Sequence, residues 1–94
     1  MIINNNGVIR RVIDVFGHEY QTHVASEELG ELNQQLMKYL RGMGNHDRLV
    51  EEYADVVICL LEVREMYNIT EAELQDAING KLARLESRLN ERIA

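Results

Sequence analysis

Apolar residues recur at helical spacing in four successive segments of the chain, and this pattern predicts four helices. The first is short and covers Val8 to Phe16, after a loose lead-in over residues 1–7. The second runs from about Glu19 to Leu40 and the third from about Arg48 to Tyr67. The fourth starts near Glu71. The pattern therefore predicts an all-α protein.

Turn-forming residues separate the predicted helices. Gly17 is a stop signal for the first helix, and Gly42 and Gly44 break the chain between the second and the third. One of residues 45–47 is in position to cap the third helix. Residues 70–73 have the T-x-x-E form of a capping box, which marks the start of a fourth helix. The connections are short, so neighbouring helices are expected to run antiparallel.

The last two helices carry the most apolar surface. The third is apolar around most of its circumference, which is typical of a central helix. The fourth has one long stripe, made of Leu74, Ile78, Leu82, Leu85, Leu89 and Ile93. This stripe can pack on the bundle or pair with a second chain. We expect a single domain over residues 1–94, an antiparallel four-helix bundle completed by homo-oligomerisation.

Composition supports a helical globular chain and narrows its partners. Of the 94 residues 46% are hydrophobic and none is proline. A net charge of -6 argues against a nucleic-acid-binding surface, although it leaves a phosphorylated substrate open because bound divalent ions invert the local charge. The longest apolar run, Val56 to Leu61, is too short to span a membrane, and it contains the lone Cys59 as a small buried residue. No secretory signal is recognisable, so a soluble, cytoplasmic protein is expected.

Two acidic pairs dominate the chemistry of the chain. Glu28 and Glu31 lie at i,i+3 spacing on the second helix, and Glu52 and Asp55 repeat that spacing on the third. Residues at i and i+3 share one helical face, and an antiparallel turn can bring the two faces together. Four carboxylates meeting there would repel each other strongly unless a cation lay between them. The simplest hypothesis is a magnesium site.

Glu52 and Lys38 each have a possible role that needs no ligand, whereas Asp55 is harder to explain without one. Asp55 borders the most apolar run, where a buried charge is costly without a partner, whereas Glu52 could simply favour the helix dipole. Lys38 lies on the acidic face of the second helix, either as an ordinary surface partner or as a phosphate contact.

The acidic residues also fit a known motif. Residues 27–31, Glu-Glu-Leu-Gly-Glu, followed by residues 52–55, Glu-Tyr-Ala-Asp, match E-E-x-x-E, a spacer and E-x-x-D. This order resembles the all-α nucleoside triphosphate pyrophosphatases of the MazG-like superfamily. The flanks are also similar to those of small MazG-like proteins: Phe16-Gly17 with Gln21 before the motif, and Asn79-x-Lys81 with Arg84 after it. The resemblance extends from about Phe16 to Leu89.

The resemblance implies magnesium-dependent hydrolysis of a nucleoside triphosphate between its α and β phosphates, giving a monophosphate and pyrophosphate. By position, Glu28, Glu31, Glu52 and Asp55 would bind Mg²⁺, with Mn²⁺ as an alternative ion. Glu31 would orient or deprotonate the attacking water.

The same resemblance implies a set of substrate contacts. Lys38, Lys81 and Arg84 would hold phosphate oxygens, and Asn79 would contribute a hydrogen bond. Gln21 lies upstream on the same helix as the metal ligands, so it could reach the base or the sugar, or it could be an ordinary polar residue of the first helical turns. The basic residues of the fourth helix could equally pair with acidic residues along that helix.

Two other functions compete with this one. Phosphoribosyl-ATP pyrophosphatase keeps the chemistry and changes the substrate. A non-catalytic helical dimerisation module would leave the acidic residues as a solvated face. Members of the family assemble as dimers or pairs of dimers, so the resemblance implies a homodimer or a homotetramer.

Overall fold

The structure is a computed structural model that describes residues 6–93. This range forms four helices and contains no strand: α1, Asn6–Phe16; α2, His18–Leu40; α3, His46–Met66; and α4, Glu71–Ile93. The prediction of an all-α protein is confirmed. No helix in the described range has the length and apolarity needed to cross a membrane.

Helix boundaries differ from the predicted ones mainly at the N-terminal ends. Asn6 and Gly7, expected in the lead-in, already belong to α1, whereas residues 1–5 lie outside the described residues. α3 begins at His46, because Asn45 is its cap and its side-chain Oδ1 accepts a hydrogen bond from the backbone N–H of Arg48 at 3.1 Å.

Glycines make the turns where the sequence placed them. Gly17 has φ 90° between α1 and α2, and Gly42 has φ 75° after α2, in backbone regions that other residues rarely adopt. Gly44 meets a different demand, since a Cβ there would collide with the ring of Tyr39. The α2–α3 turn therefore requires glycine at two positions for two reasons.

The predicted capping box opens α4. The backbone N–H of Thr70 donates to Glu73 Oε2 at 2.7 Å, and the Glu73 N–H donates to Thr70 Oγ1 at 3.1 Å. The hydrogen bond from the Thr70 backbone lowers the pKa of Glu73 below its usual range. The start of α4 is thus fixed by contacts within its own first turn.

The first three helices pack together. Gln21 of α2 bonds to Glu62 of α3, and Glu28 lies near Glu52, so α2 and α3 run antiparallel as expected. α1 packs across the far end of this hairpin. There Ile9 and Ile13 form a small apolar cluster with Met66, to which Leu61 and Val63 contribute partly buried side chains.

The expected four-helix bundle does not form within one chain. α4 makes no contact with α1, α2 or α3, and it has no buried residue. The residues of its apolar stripe from Ile78 to Ile93 are 42–72% exposed. Periodicity predicted the apolar face of α4 correctly, but it carries no information about which surface covers that face.

α3 is also less enclosed than its apolar sequence predicts. It contacts both α1 and α2, yet Val50, Tyr53 and Leu60 remain at least half exposed. The prediction of a central helix is therefore wrong within a single chain, because no fourth helix covers this side.

The small cluster between α1 and α3 offers a direct test of where the core lies. Ile13→Ala should lower the free energy of unfolding by about 2–4 kcal/mol, because Ile13 is 5% exposed and its removal leaves a cavity. Val15→Ala, on the 74% exposed side of the same helix, should change it by less than about 0.5 kcal/mol. Urea unfolding followed by circular dichroism measures both. Equal losses in the two variants would contradict this assignment of the core.

Candidate metal centre

The α2–α3 hairpin brings three of the predicted carboxylates together. Glu28, Glu31 and Glu52 each offer an oxygen atom, and these atoms lie within 4.8 Å of one another. Glu28 and Glu52 are half-buried, whereas Glu31 is exposed. We refer to these three residues as the carboxylate cluster. It is formed by both helices, so its geometry depends on how α2 is aligned against α3.

Two oxygen atoms of the carboxylate cluster lack any partner. Glu28 Oε2 and Glu52 Oε2 are buried, and neither has a hydrogen-bond partner within the described part of the chain. A buried carboxylate oxygen without a donor is costly, and most buried polar atoms in proteins are paired. These atoms need either protons or a cation.

The pKa values of Glu28 and Glu52 are both raised above the ordinary value. Burial is the first cause that raises the pKa of Glu28 to about 7, and the neighbouring carboxylates of Glu31 and Asp55 add to it. Burial also raises the pKa of Glu52, and the neighbouring carboxylate of Glu31 adds to this rise. Glu28 therefore holds its proton to a higher pH than an ordinary glutamate, and a divalent cation bound there would displace that proton.

Asp55 does not occupy the interior position expected from the sequence. Its side chain is exposed and is not among the three whose oxygens come together. The burial argument for Asp55 is therefore wrong. On a helix the members of an apolar run point in all directions, so an adjacent run does not bury a side chain unless another helix packs over it. Asp55 remains close enough for its charge to raise the pKa of Glu28.

The buried carboxylate of α3 is instead Glu62, which the sequence analysis did not single out. It is 5% exposed and accepts a hydrogen bond of 2.9 Å from Gln21 Nε2, itself 4% exposed. Glu62 lies seven residues after Asp55, which places both on one helical face. That spacing was the available signal. Cys59, predicted to be buried, is 5% exposed, and burial raises the pKa of its thiol to about 11.

The remaining predicted site residues lie on two separate parts of the molecule. Lys38 is half-buried on α2, and Gln21 is buried in the helix interface rather than open to solvent. Asn79, Lys81 and Arg84 are exposed on α4, where Asn79 Oδ1 accepts a hydrogen bond from Gln75 Nε2 at 3.0 Å. Because α4 does not contact α2 or α3, a single chain does not bring these three residues to the carboxylate cluster. Their substrate roles stay predictions.

Comparison of the chain with protein-family models, with curated proteins and with solved structures found no match. The case for a function therefore depends on the motif and on the geometry of the carboxylate cluster.

The raised pKa of Glu28 predicts a characteristic dependence of stability on pH. Folded Glu28 holds its proton up to about pH 7, whereas the ordinary value is 4.5. Its contribution to stability is fully present below the lower value and is lost as pH rises through the higher one. The Glu28→Gln side chain remains uncharged at every pH. The melting temperature of this variant, measured in EDTA, should therefore rise relative to that of the wild type as the pH increases from about 5 to about 8.

Glu27→Gln is the matched control, since Glu27 is the exposed neighbour of Glu28. It should show no comparable gain with pH. A Glu28→Gln curve that runs parallel to the wild-type curve would contradict the raised pKa.

Proposed function

We propose that Glu28, Glu31 and Glu52 bind Mg²⁺, with Asp55 at the edge of the site, and that the protein hydrolyses a nucleoside triphosphate between its α and β phosphates. The observation that carries this proposal is the carboxylate cluster, three oxygens within 4.8 Å of one another, combined with two buried carboxylate oxygens that have no partner. Carboxylate oxygens are the ligands preferred by Mg²⁺, and Mn²⁺ is the natural substitute.

The donor set fits a hard divalent cation better than a softer metal. All three close side chains are carboxylates, Cys59 is buried with its pKa raised, and the three histidines are exposed at other positions. When bound, the ion would neutralise phosphate charge and lower the pKa of the attacking water.

Within the carboxylate cluster the three residues have different access to solvent. Glu28 and Glu52 are half-buried and each has one buried carboxylate oxygen, which suits ligands held in place by the protein. Glu31 is the exposed member of the cluster, to which it offers one carboxylate oxygen. Glu31 is therefore our choice for the residue that orients or deprotonates the attacking water.

Lys38 is the nearest candidate for a phosphate contact within the same chain. It lies seven residues after Glu31 on α2, which places it on the same helical face about two turns away. Its ammonium group can hold a phosphate oxygen of a substrate that lies along this face. Gln21 remains the proposed contact for the base or the sugar only if its amide leaves Glu62.

The choice of a triphosphate substrate rests on the sequence resemblance. The ordered combination of E-E-x-x-E and E-x-x-D, with Asn79, Lys81 and Arg84 after it, resembles the MazG-like pyrophosphatases. Phosphoribosyl-ATP is the alternative substrate for the same cleavage. Both substrates present the α–β phosphate linkage to a metal-carboxylate site.

The protein is further proposed to act as a homo-oligomer, because one chain exposes too much surface. Its accessible area is 7636 Å² for a mass of 10.9 kDa, whereas a compact monomer of that mass exposes about 5,600 Å². Its radius of gyration is 16.4 Å, against about 12 Å for a compact chain of this length. An excess of about 2,000 Å² for each chain matches the area that obligate homodimers bury.

An oligomer would also explain how the basic residues of α4 could reach a carboxylate cluster. Lys81 and Arg84 are exposed on α4 and do not reach the carboxylate cluster of their own chain. If they contact phosphate there, α4 of a neighbouring copy must supply them. The basic residues outnumber the acidic ones between Lys81 and Ile93, so this half of α4 is attracted to an acidic hairpin.

The exposed stripe of α4 also favours the second candidate function, a helical dimerisation module without catalysis. Such a module would assemble through α4 but would gain no specific stability from Mg²⁺. A true metal site stabilises the folded protein by mass action.

Pyrophosphate release tests the enzymatic proposal. We expect release from ribo- or deoxynucleoside triphosphates with Mg²⁺ and none with EDTA, with the monophosphate as second product. Glu28→Ala and Glu31→Ala should reduce turnover at least about 100-fold, because each removes a metal ligand or the water-orienting group. Glu51→Ala, an exposed acidic residue beside Glu52, should retain activity.

If no nucleoside triphosphate is hydrolysed but phosphoribosyl-ATP is, phosphoribosyl-ATP is the substrate. Inactivity on both, with no Mg²⁺-dependent rise in melting temperature, would favour the dimerisation module.

A charge placed on the α4 stripe tests the assembly. Leu85→Glu should shift the protein to a smaller species in sedimentation velocity, because Leu85 lies in the middle of the stripe and a buried unpaired charge is costly. Ala83→Glu lies on the opposite face of the helix and should leave the assembly intact. An unchanged sedimentation coefficient for Leu85→Glu would exclude α4 as the contact surface.

A further inference from the structure

The interface between α2 and α3 is unusually polar. α2 buries only Gln21, Ala25 and Gln35, and two of these are amides. The side chains that α3 buries are Val56, Cys59, Glu62 and Met66. Small and polar side chains interlock less than large apolar ones. Packing in this interface therefore does little to select one alignment of α2 along α3.

One contact does fix the alignment. Gln21 Nε2 donates to Glu62 Oε2 at 2.9 Å, and both side chains are at least nine-tenths buried. In the described residues it is the single buried side-chain hydrogen bond between α2 and α3. Thr22 also approaches Tyr67, but that contact is exposed and lies beyond the end of α3.

The alignment that this bond imposes is the one the carboxylate cluster needs. Gln21 lies seven residues before Glu28, and Glu62 lies seven residues after Asp55. In an antiparallel pair, the alignment that joins Gln21 to Glu62 therefore faces Glu28 with Asp55. Three residues later on α2 and three residues earlier on α3, the same alignment faces Glu31 with Glu52.

A slip of one helical turn would destroy this match. It would move one helix by about 5 Å along the other. Glu31 would then face Asp55, or Glu28 would face Glu52, and the remaining carboxylate of each helix would have no counterpart. Repulsion between the carboxylates favours such a slip in the absence of metal, since it separates like charges.

We propose that the buried Gln21–Glu62 pair sets the register of α2 on α3 and thereby positions Glu28, Glu31 and Glu52 to form one cluster. This use of a buried polar pair matches the best-attested role of such groups, which is to select one alignment at a cost in stability. Gln21 and Glu62 are then positioning residues, and the Gln21 amide is not available to the substrate while it is bonded to Glu62. The inference rests on the proposed function only for the identity of the bound ion.

The register can be measured without any metal. Nitroxide labels at His23 and Glu51, exposed positions on α2 and α3, report the slide of one helix along the other by pulsed electron resonance. All proteins carry Cys59→Ala to leave the two labels alone, and labelled chains are diluted with unlabelled ones to suppress distances between copies. The parent protein should give one narrow distance distribution in EDTA.

Three variants separate register from stability. Gln21→Leu with Glu62→Met fills the same space with apolar groups, so it should melt no lower than the parent protein but show a broadened or shifted distance distribution. Gln21→Glu with Glu62→Gln exchanges the partners and should restore the single distance. Thr22→Val removes the exposed contact and should leave the distance unchanged.

Mg²⁺ binding, measured by calorimetry on the same proteins, tests the consequence. The apolar double variant should bind Mg²⁺ at least about tenfold more weakly, as when groups that orient metal ligands are lost, and the exchanged pair should bind it normally. A single parental distance in the apolar double variant, or parental Mg²⁺ affinity in it, would overturn the proposal. Absence of Mg²⁺ binding by the parent protein, with the distances as expected, would refute the metal site and leave the register assignment standing.

Discussion

Repulsion between like charges across the α2–α3 interface is the constraint on which the rest of this structure depends. Three carboxylate oxygens within 4.8 Å oppose the packing of the two helices that carry them. The protein tolerates them only because other contacts hold α2 against α3, and because protons or a cation can occupy the space between the charges. Burial raises the pKa of Glu28 to about 7, and repulsion from the neighbouring carboxylates of Glu31 and Asp55 adds to this rise.

The distribution of apolar residues follows from the same constraint. Three of the seven side chains that α2 and α3 bury are polar, and the buried apolar cluster lies at the far end of their interface with α1. Much of the apolar surface of α3 and α4 faces outward instead. A chain that places polar side chains inside a two-helix interface has less of that interface left for hydrophobic burial, and the proposed homo-oligomer would cover the apolar surface that stays exposed.

Local features of the fold were predictable from the sequence, whereas features set by packing were not. Gly17 and the Thr70–Glu73 capping box act through contacts within a few residues, so the sequence predicted these helix ends. For α3 it narrowed the cap to residues 45–47 without selecting Asn45. The meeting of Glu28 and Glu31 with Glu52 followed from two i,i+3 pairs and one short turn. The exposure of Asp55 and the isolation of α4 depend on which helices pack, and no pattern within one helix contains that information.

Glu62 shows why a buried polar residue is harder to recognise than an acidic motif. In the sequence it is one glutamate in an acidic chain, and only its seven-residue distance from Asp55 links it to the acidic face of α3. Its importance comes from Gln21, forty-one residues away, which the sequence associates with substrate rather than with another helix. The buried hydrogen bond between Glu62 and Gln21 penalises every other alignment, because sliding one helix along the other would leave both polar groups buried without a partner. Specificity of alignment, rather than strength, is therefore what this pair can contribute to a site built across two helices.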